Sequence, residues 1–299
     1  MTDKKTFVSS CLRVSNLLEQ HFDTAFAAPD GVAKLRELIL TLAMRGKLVA
    51  QNPNDPPASE LLKEIKKERV SHEGTKTRRG EGKKLPPIKP EEVPYELPQG
   101  WEWVRLGDVL SFEYGDNLPA NKRSNTGEFP VYGSNGVVGT HKVAFVKNMC
   151  IVIGRKGSAG ALNLCLADGC CVTDVAYYCI PPLALDLNFC FKLLHTLKLD
   201  SLGKGIKPGL NRNEAYDLMI AIPPLPEQHR IVARIDQLMA RCDALVKLRK
   251  EREEKRLAVH AAAIKQLLNP SLRVFVPSCE PFFSLRVFAP SREPHWETT

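Results

Sequence analysis

Apolar residues in the first part of the chain recur at helical spacing. Val32, Leu35, Leu38, Ile39 and Leu42 fall on one face of a helix that Asp30, following Pro29, is placed to cap. Gly46 is a natural stop for that helix. Asn52-Pro53-Asn54-Asp55-Pro56-Pro57 reads as a turn, after which Ser59 is placed to cap a short charged helix carrying Leu61, Leu62 and Ile65. Beyond residue 100 the pattern changes. Short apolar runs, Cys150 to Ile153 and Ala176 to Ile180, are bounded by glycine or proline and predict strands. Helical spacing returns between Leu187 and Leu199, through Cys190, Phe191, Leu194 and Leu197. Asn211 with Glu214 three residues on has the form of a capping box for one more short helix.

From Pro226 to Leu268 the chain predicts a single long helix. Pro226 suits a first turn, and Glu227 sets a negative charge at the positive helix end. Ile231, Ile235, Leu238, Cys242 and Leu245 follow a 4-3-4-3 spacing, which is a heptad seam. The charged run Lys247 to Arg256 interrupts it before Leu257, Ile264, Leu267 and Leu268. At 1.5 Å per residue such a helix is roughly 60 Å long, too long to pack on one small domain. It is therefore expected to need a partner helix, either from this chain's N-terminal region or from another chain.

Two stretches break the patterning. Between Ser71 and Pro98, three glycines, five prolines and a set of lysines and arginines predict an extended basic linker. After residue 270, Ser271-Leu272-Arg273-Val274-Phe275 recurs as Ser284-Leu285-Arg286-Val287-Phe288, and each copy continues into Pro-Ser-x-Glu-Pro. This repeat matches no solenoid class and reads as a poorly ordered tail. The expected organisation is a helical region at 1–70, a linker at 71–97, a compact domain at 98–222, a long helix at 223–269 and the tail at 270–299. The fold class is α+β or α/β: a globular domain with a twisted mixed β-sheet, plus long coiled-coil-forming helices.

Composition narrows the function. At 43% hydrophobic residues the chain has material for a real core. Its net charge of +8 suits a polyanionic partner. No lysine-led apolar segment and no run long enough to span a bilayer is present, so a cytoplasmic protein with no membrane partner is expected. Of nine cysteines, Cys150, Cys165, Cys170, Cys171, Cys179 and Cys190 lie in one stretch. None forms a C-x-x-C pair, so buried reduced thiols are expected and a metal site is not.

The parts of several catalytic machines are missing together. There is no G-x-x-x-x-G-K-[ST] phosphate loop, no G-x-S-x-G elbow and no H-E-x-x-H pair. Gly154-Arg155-Lys156-Gly157-Ser158-Ala159-Gly160 has neither phosphate-loop nor dinucleotide spacing, yet its two adjacent cations suit a phosphate contact. No Asn-Pro-Pro-Tyr motif of amino-methyltransferases and no nuclease carboxylate cluster stands out. What the domain does contain is donor-rich turns. The candidate DNA-binding residues are Asn117, Lys122 and Arg123 on one loop, and Ser134 and Asn135 on a second. Arg155 and Lys156 lie on a third, and Lys204, Lys207, Asn211 and Arg212 on a fourth. Residues 98–222 hold 12 basic and 11 acidic side chains, so a DNA face there depends on where charges sit and not on their excess.

Six segments in order resemble the specificity subunits of type I restriction–modification systems. They are Leu97-Pro98-x-Gly100-Trp101-x-Trp103-x-x-Leu106-Gly107-Asp108, Tyr132 to Gly136, Ile153 to Gly157, Thr173-Asp174-x-Ala176-Tyr177, Pro208 to Arg212 and Pro223 to Gln228. Leu35 to Arg69, with Met44-Arg45-Gly46-Lys47-Leu48-Val49, is similar to the helical region of that family. The resemblance implies a target-recognition domain at 98–222 and a non-catalytic subunit that reads double-stranded DNA. Its implied partners are modification (methyltransferase) subunits and a restriction subunit. S-adenosylmethionine, ATP and magnesium are then expected on those partners and not on this chain. The family usually carries two recognition domains; this sequence has one. That leaves a half-length subunit acting as a homodimer or with a second half-subunit, or a truncated remnant. An interaction protein that binds modification subunits without reading DNA is the alternative function. A self-sufficient methyltransferase or nuclease is the third.

Overall fold

The computed structural model describes residues 16–18, 20–22, 24, 30–73, 85–203 and 209–268. By contact the chain divides into two units, 1–245 and 246–299.

Helix α1 spans Gly31–Met44. Its face follows the apolar spacing, burying Leu35, Ile39, Ala43 and Met44, while Val32 and Leu42 pack at the edge. Two sequence expectations need correction. Leu38 lies on the rim of that face and is 44% exposed. Asp30 sits at the N-cap in a left-handed conformation and makes no side-chain cap bond. The helix ends as expected. Gly46 adopts φ +63°, Gly46 N–H donates to Ala43 O and Lys47 N–H to Leu42 O, which closes a Schellman motif. A Cβ at Gly46 would also stand 2.3 Å from the Pro98 ring, so turn and packing both demand glycine. Helix α2 spans Ala58–Glu73. Ser59 therefore lies inside its first turn and not at the cap, and Ala58 N–H is held by Gly100 O.

The described part of the basic linker, 85–97, is extended on either side of a 3-10 turn at Pro90–Glu92, and its side chains anchor it. Glu92 pairs with Arg105 at 2.7 Å, Tyr95 donates to Met44 O, and Trp103 donates to Tyr95 O. Prolines set the backbone, and aromatic and charged side chains fix its course.

The sheet expected over the central segment is divided into three. Strands β1 (Glu102–Arg105) and β9 (Met219–Ile222) pair antiparallel, Glu102 opposite Ile222. Four strands form the second sheet in the order β2-β8-β5-β6: β2 (Glu113–Tyr114), β5 (Cys150–Gly154), β6 (Leu162–Cys165) and β8 (Ala176–Cys179). The third joins β4 (Gly136–His141), β3 (Phe129–Gly133) and β7 (Cys171–Val172), with β3 and β7 parallel. Short helices α3 (Leu106–Val109), α4 (Leu187–Thr196) and α5 (Arg212–Tyr216) complete the segment. Asp186 caps α4 by accepting from Phe189 N–H.

Helix α6 runs Leu225–Leu267. In the first unit its seam is buried: Ile231, Ile235 and Cys242 are fully enclosed, Leu238 nearly so, and Leu245 partly. These side chains belong to one apolar cluster with Phe22, Leu35 and Ile39 of the N-terminal helices and Phe189 and Leu193 of α4. The partner of this part of the seam is thus the chain's own helices. Polar contacts flank it: Arg241 lies over the Phe22 ring at 4.2 Å, Arg36 pairs with Asp243, and Lys192 pairs with Asp236 at 2.6 Å. The first turn is tightly fitted. Gln228 is fully buried, accepts from Asp186 N–H and donates to Pro223 O. Glu227 stands in the first turn as the sequence suggests, and it is also buried and bonded to the Trp101 indole and the Gln51 amide.

The second unit, taken by itself, contributes the helical residues 246–267. Leu248, Leu257, Val259, Ile264 and Leu267 are all more than half exposed there. Glu253 and Arg256 pair at 2.8 Å. The duplicated tail lies outside the described residues. No helix of the described residues is long and apolar enough to cross a membrane.

Candidate nucleic-acid interface

The ends of β2, β5 and α5 meet around one exposed aromatic ring. Tyr114 closes β2 and is 48% exposed. The Arg155 guanidinium carbon lies 4.7 Å from its ring centroid, and that of Arg212 lies 4.8 Å away. Tyr177 meets Tyr114 edge-on at 5.1 Å and lies 5.7 Å from Arg155. Burial raises the Tyr177 phenol above its ordinary pKa, so it remains a neutral donor, and it donates to Leu210 O.

Backbone contacts hold the two arginines. Arg155 N–H donates to Val175 O, and Arg155 O accepts from Leu210 N–H. The guanidinium of Arg155 donates to Asp174 O at 2.9 Å, and that of Arg212 to Phe112 O at 3.2 Å. Each uses one donor in this way and keeps others, because a guanidinium carries five N–H groups. Neither forms an ion pair with a carboxylate among the described residues. Two cations on one ring, neither paired with a carboxylate, make a site that an anion would relieve. Lys156 stands next to them, 55% exposed and 4.0 Å from the Asp174 carboxylate.

The glycine-rich turn is fixed by close approach. A Cβ on Gly154 would lie 2.0 Å from Ser158 O and 2.5 Å from Ser134 O. Ser134 then accepts from Ser158 N–H at 3.2 Å. Gly154 thus lets the β3–β4 turn and the Arg155 turn touch, and an isolated Lys156–Gly209 bridge adds the segment before α5.

The sequence candidates therefore separate. Arg155, Lys156, Arg212 and, through Ser158, Ser134 are brought together. Asn135 and Asn117 are exposed on adjoining turns. Asn211 caps α5 by accepting from Asn213 N–H, so its side-chain oxygen already has a partner. Arg123 donates to Leu118 O and Val138 O, which ties its loop to β4, and Lys122 is exposed on the same loop. Lys204 and Lys207 lie outside the described residues. Tyr114, the centre of the cluster, was not among the candidates. Its only sequence signal is an aromatic beside Gly115-Asp116 in a polar turn, and nothing local ties it to Arg155 or Arg212.

A family model described as the type I restriction modification DNA specificity domain matches residues 98–254. The specificity subunit of the type I restriction enzyme EcoAI of Escherichia coli is 30% identical over 281 residues, covering 84% of this chain and 47% of its own length. The EcoEI specificity subunit of Escherichia coli is 46% identical over 96 residues, 31% of this chain and 16% of its own. A chain solved in work on complex assembly and conformational transition of the type I R-M system superposes with a TM-score of 0.50 at 19% identity. It covers 86% of this chain and 58% of that one, and the likeness is one of fold. The chain thus spans about half the length of the EcoAI relative.

Proposed function

The chain belongs to the type I restriction–modification DNA specificity family, and on that premise we propose that it reads one part of a bipartite site in duplex DNA. The reading surface is the set of turns around Tyr114. Arg155 and Arg212 supply rigid planar donors for base edges or phosphates, and Lys156 supplies a mobile phosphate contact. The observation that carries this reading is the pair of guanidiniums stacked on one exposed tyrosine with no carboxylate opposite either.

On the same reading the chain has no catalytic role. Modification subunits transfer the methyl group from S-adenosylmethionine, and restriction subunits use ATP and magnesium. The exposed apolar residues of 246–267 are the docking positions for helices of those subunits or of a second half-subunit.

Fluorescence-anisotropy binding of a duplex, with a modification subunit present, tests the proposal. Lys156→Ala should weaken binding to all sequences alike and flatten the slope of log affinity against log salt by about one unit. Mapping methylated adenines in cells that make both proteins would then give the site read. Stable binding to the modification subunit with no salt-dependent DNA binding would overturn DNA reading and leave an interaction protein. Methyl transfer by the isolated chain would overturn the non-catalytic assignment.

A further inference from the structure

Three thiols, Cys150, Cys165 and Cys170, meet in the small second core. The antiparallel register sets Cys150 on β5 opposite Cys165 on β6. The Val146–Cys170 bridge brings Cys170 beside them. All three are fully buried and unoxidised. Their sulfurs lie within 4.8 Å of one another, and those of Cys150 and Cys170 are 3.7 Å apart.

That spacing is already close to a coordination shell. With metal–sulfur bonds of about 2.3 Å, sulfurs in a tetrahedral or trigonal site stand roughly 3.8–4.0 Å apart. The apolar side chains packed around them are Val146, Val152, Val172 and Ala176, and the Cys165 thiol faces Ala167 O at 4.0 Å. Two phenols border the thiols: Tyr132, 9% exposed and beside Cys165, and Tyr178, partly buried against the same cluster. Apolar filling alone needs no sulfur at three positions that meet. Soft sulfur ligands in a dry pocket select a thiophilic ion.

We propose that Cys150, Cys165 and Cys170 bind one divalent ion of the zinc–cadmium class as three thiolates. Three S–H bonds give up their protons to solvent as three metal–sulfur bonds form, and no group changes oxidation state. The site then carries one net negative charge, which the Tyr132 hydroxyl offsets by donating to Cys165. No local motif announces it, because β-sheet register and one bridge bring the ligands together.

The test uses the full chain, reduced with a non-thiol reductant. Cadmium should bind at one equivalent, with a thiolate-to-metal charge-transfer absorption that rises to that point and stops. X-ray absorption of the zinc-loaded chain should show a shell of three sulfurs at about 2.3 Å. Cys171→Ala should leave both signals intact, because the Cys171 sulfur donates to Val143 O and lies outside the cluster. Cys170→Ala should weaken cadmium binding at least tenfold. A nitrogen- or oxygen-dominated shell in the unaltered chain overturns the proposal, and this readout does not depend on any variant folding. Unchanged binding by a folded chain lacking all three cysteines overturns it too.

Discussion

Tyr114 is the residue whose role depends most on its surroundings. Its ring holds two guanidiniums 4.7 and 4.8 Å from one centroid, so the cluster is ordered before any ligand arrives. Arg155→Lys keeps the charge but loses the planar stack. It should lower duplex affinity by about 1 kcal/mol or more in the anisotropy assay while leaving the salt slope unchanged, the opposite of Lys156→Ala. Glu227 is the other residue with a measurable signature. Burial, opposed by the Trp101 hydrogen bond and Arg230, raises its carboxyl from 4.5 to about 7. The folded chain therefore holds this proton where the unfolded chain has released it. The group's contribution to stability falls as pH rises from about 4.5 to about 7, by at most about 3 kcal/mol. The Gln51 side-chain oxygen beside it is buried without a donor. A Gln at position 227 would supply an amide N–H there if the Gln51 amide turns over. Glu227→Gln should thus remove this pH dependence and match or exceed the parent chain near pH 8, read from urea-unfolding midpoints at several pH values.

Among the elements, α6 changes character along its length. Leu238, 2% exposed, sits in the shared core, whereas Leu257, 56% exposed, does not. Leu238→Ala should cost about 2–4 kcal/mol, and Leu257→Ala less than about 0.5 kcal/mol, in chemical unfolding of the isolated chain. If Leu257→Ala also weakened capture of the modification subunit, its cost would belong to binding. Helices were the legible part of the sequence. Periodicity gave α1 and α6 to within a residue or two, because a 3.6-residue repeat shows in any window that covers a few turns. The strands were less legible. The runs at 150–153 and 176–180 were visible, but the two-residue strands β2 and β7 carry no period of their own. The division into three sheets is likewise set by long-range pairing.

For the whole molecule, the sequence motifs located the turns and the structure determined which of them meet. Pro-Glu-Gln at 226–228 was readable as a helix start. That Glu227 would reach Trp101, and Gln228 would reach the cap of α4, depends on contacts far along the chain. The same holds for the Tyr114 cluster and the three thiols, where no short-range pattern encodes the neighbours. Charge behaved differently. Near-neutral composition over 98–222 hid how the charges are placed: Arg155 and Arg212 form no ion pair among the described residues, while Asp174 lies 4.0 Å from Lys156 and Asp186 faces His229.

The pairing of β1 with β9 has one more consequence. Because Glu102 lies opposite Ile222, the polypeptide leaves the helical frame and returns to it about one strand spacing away, roughly 5 Å. The segment between those two points is nevertheless fastened a second time, because α4 packs Phe189 and Leu193 on the seam and pairs Lys192 with Asp236. Any other insert with ends equally close would have to bring its own replacement for that helix, or leave Ile231 and Ile235 uncovered on that side. The segment is thus both hafted at its ends and riveted along its flank.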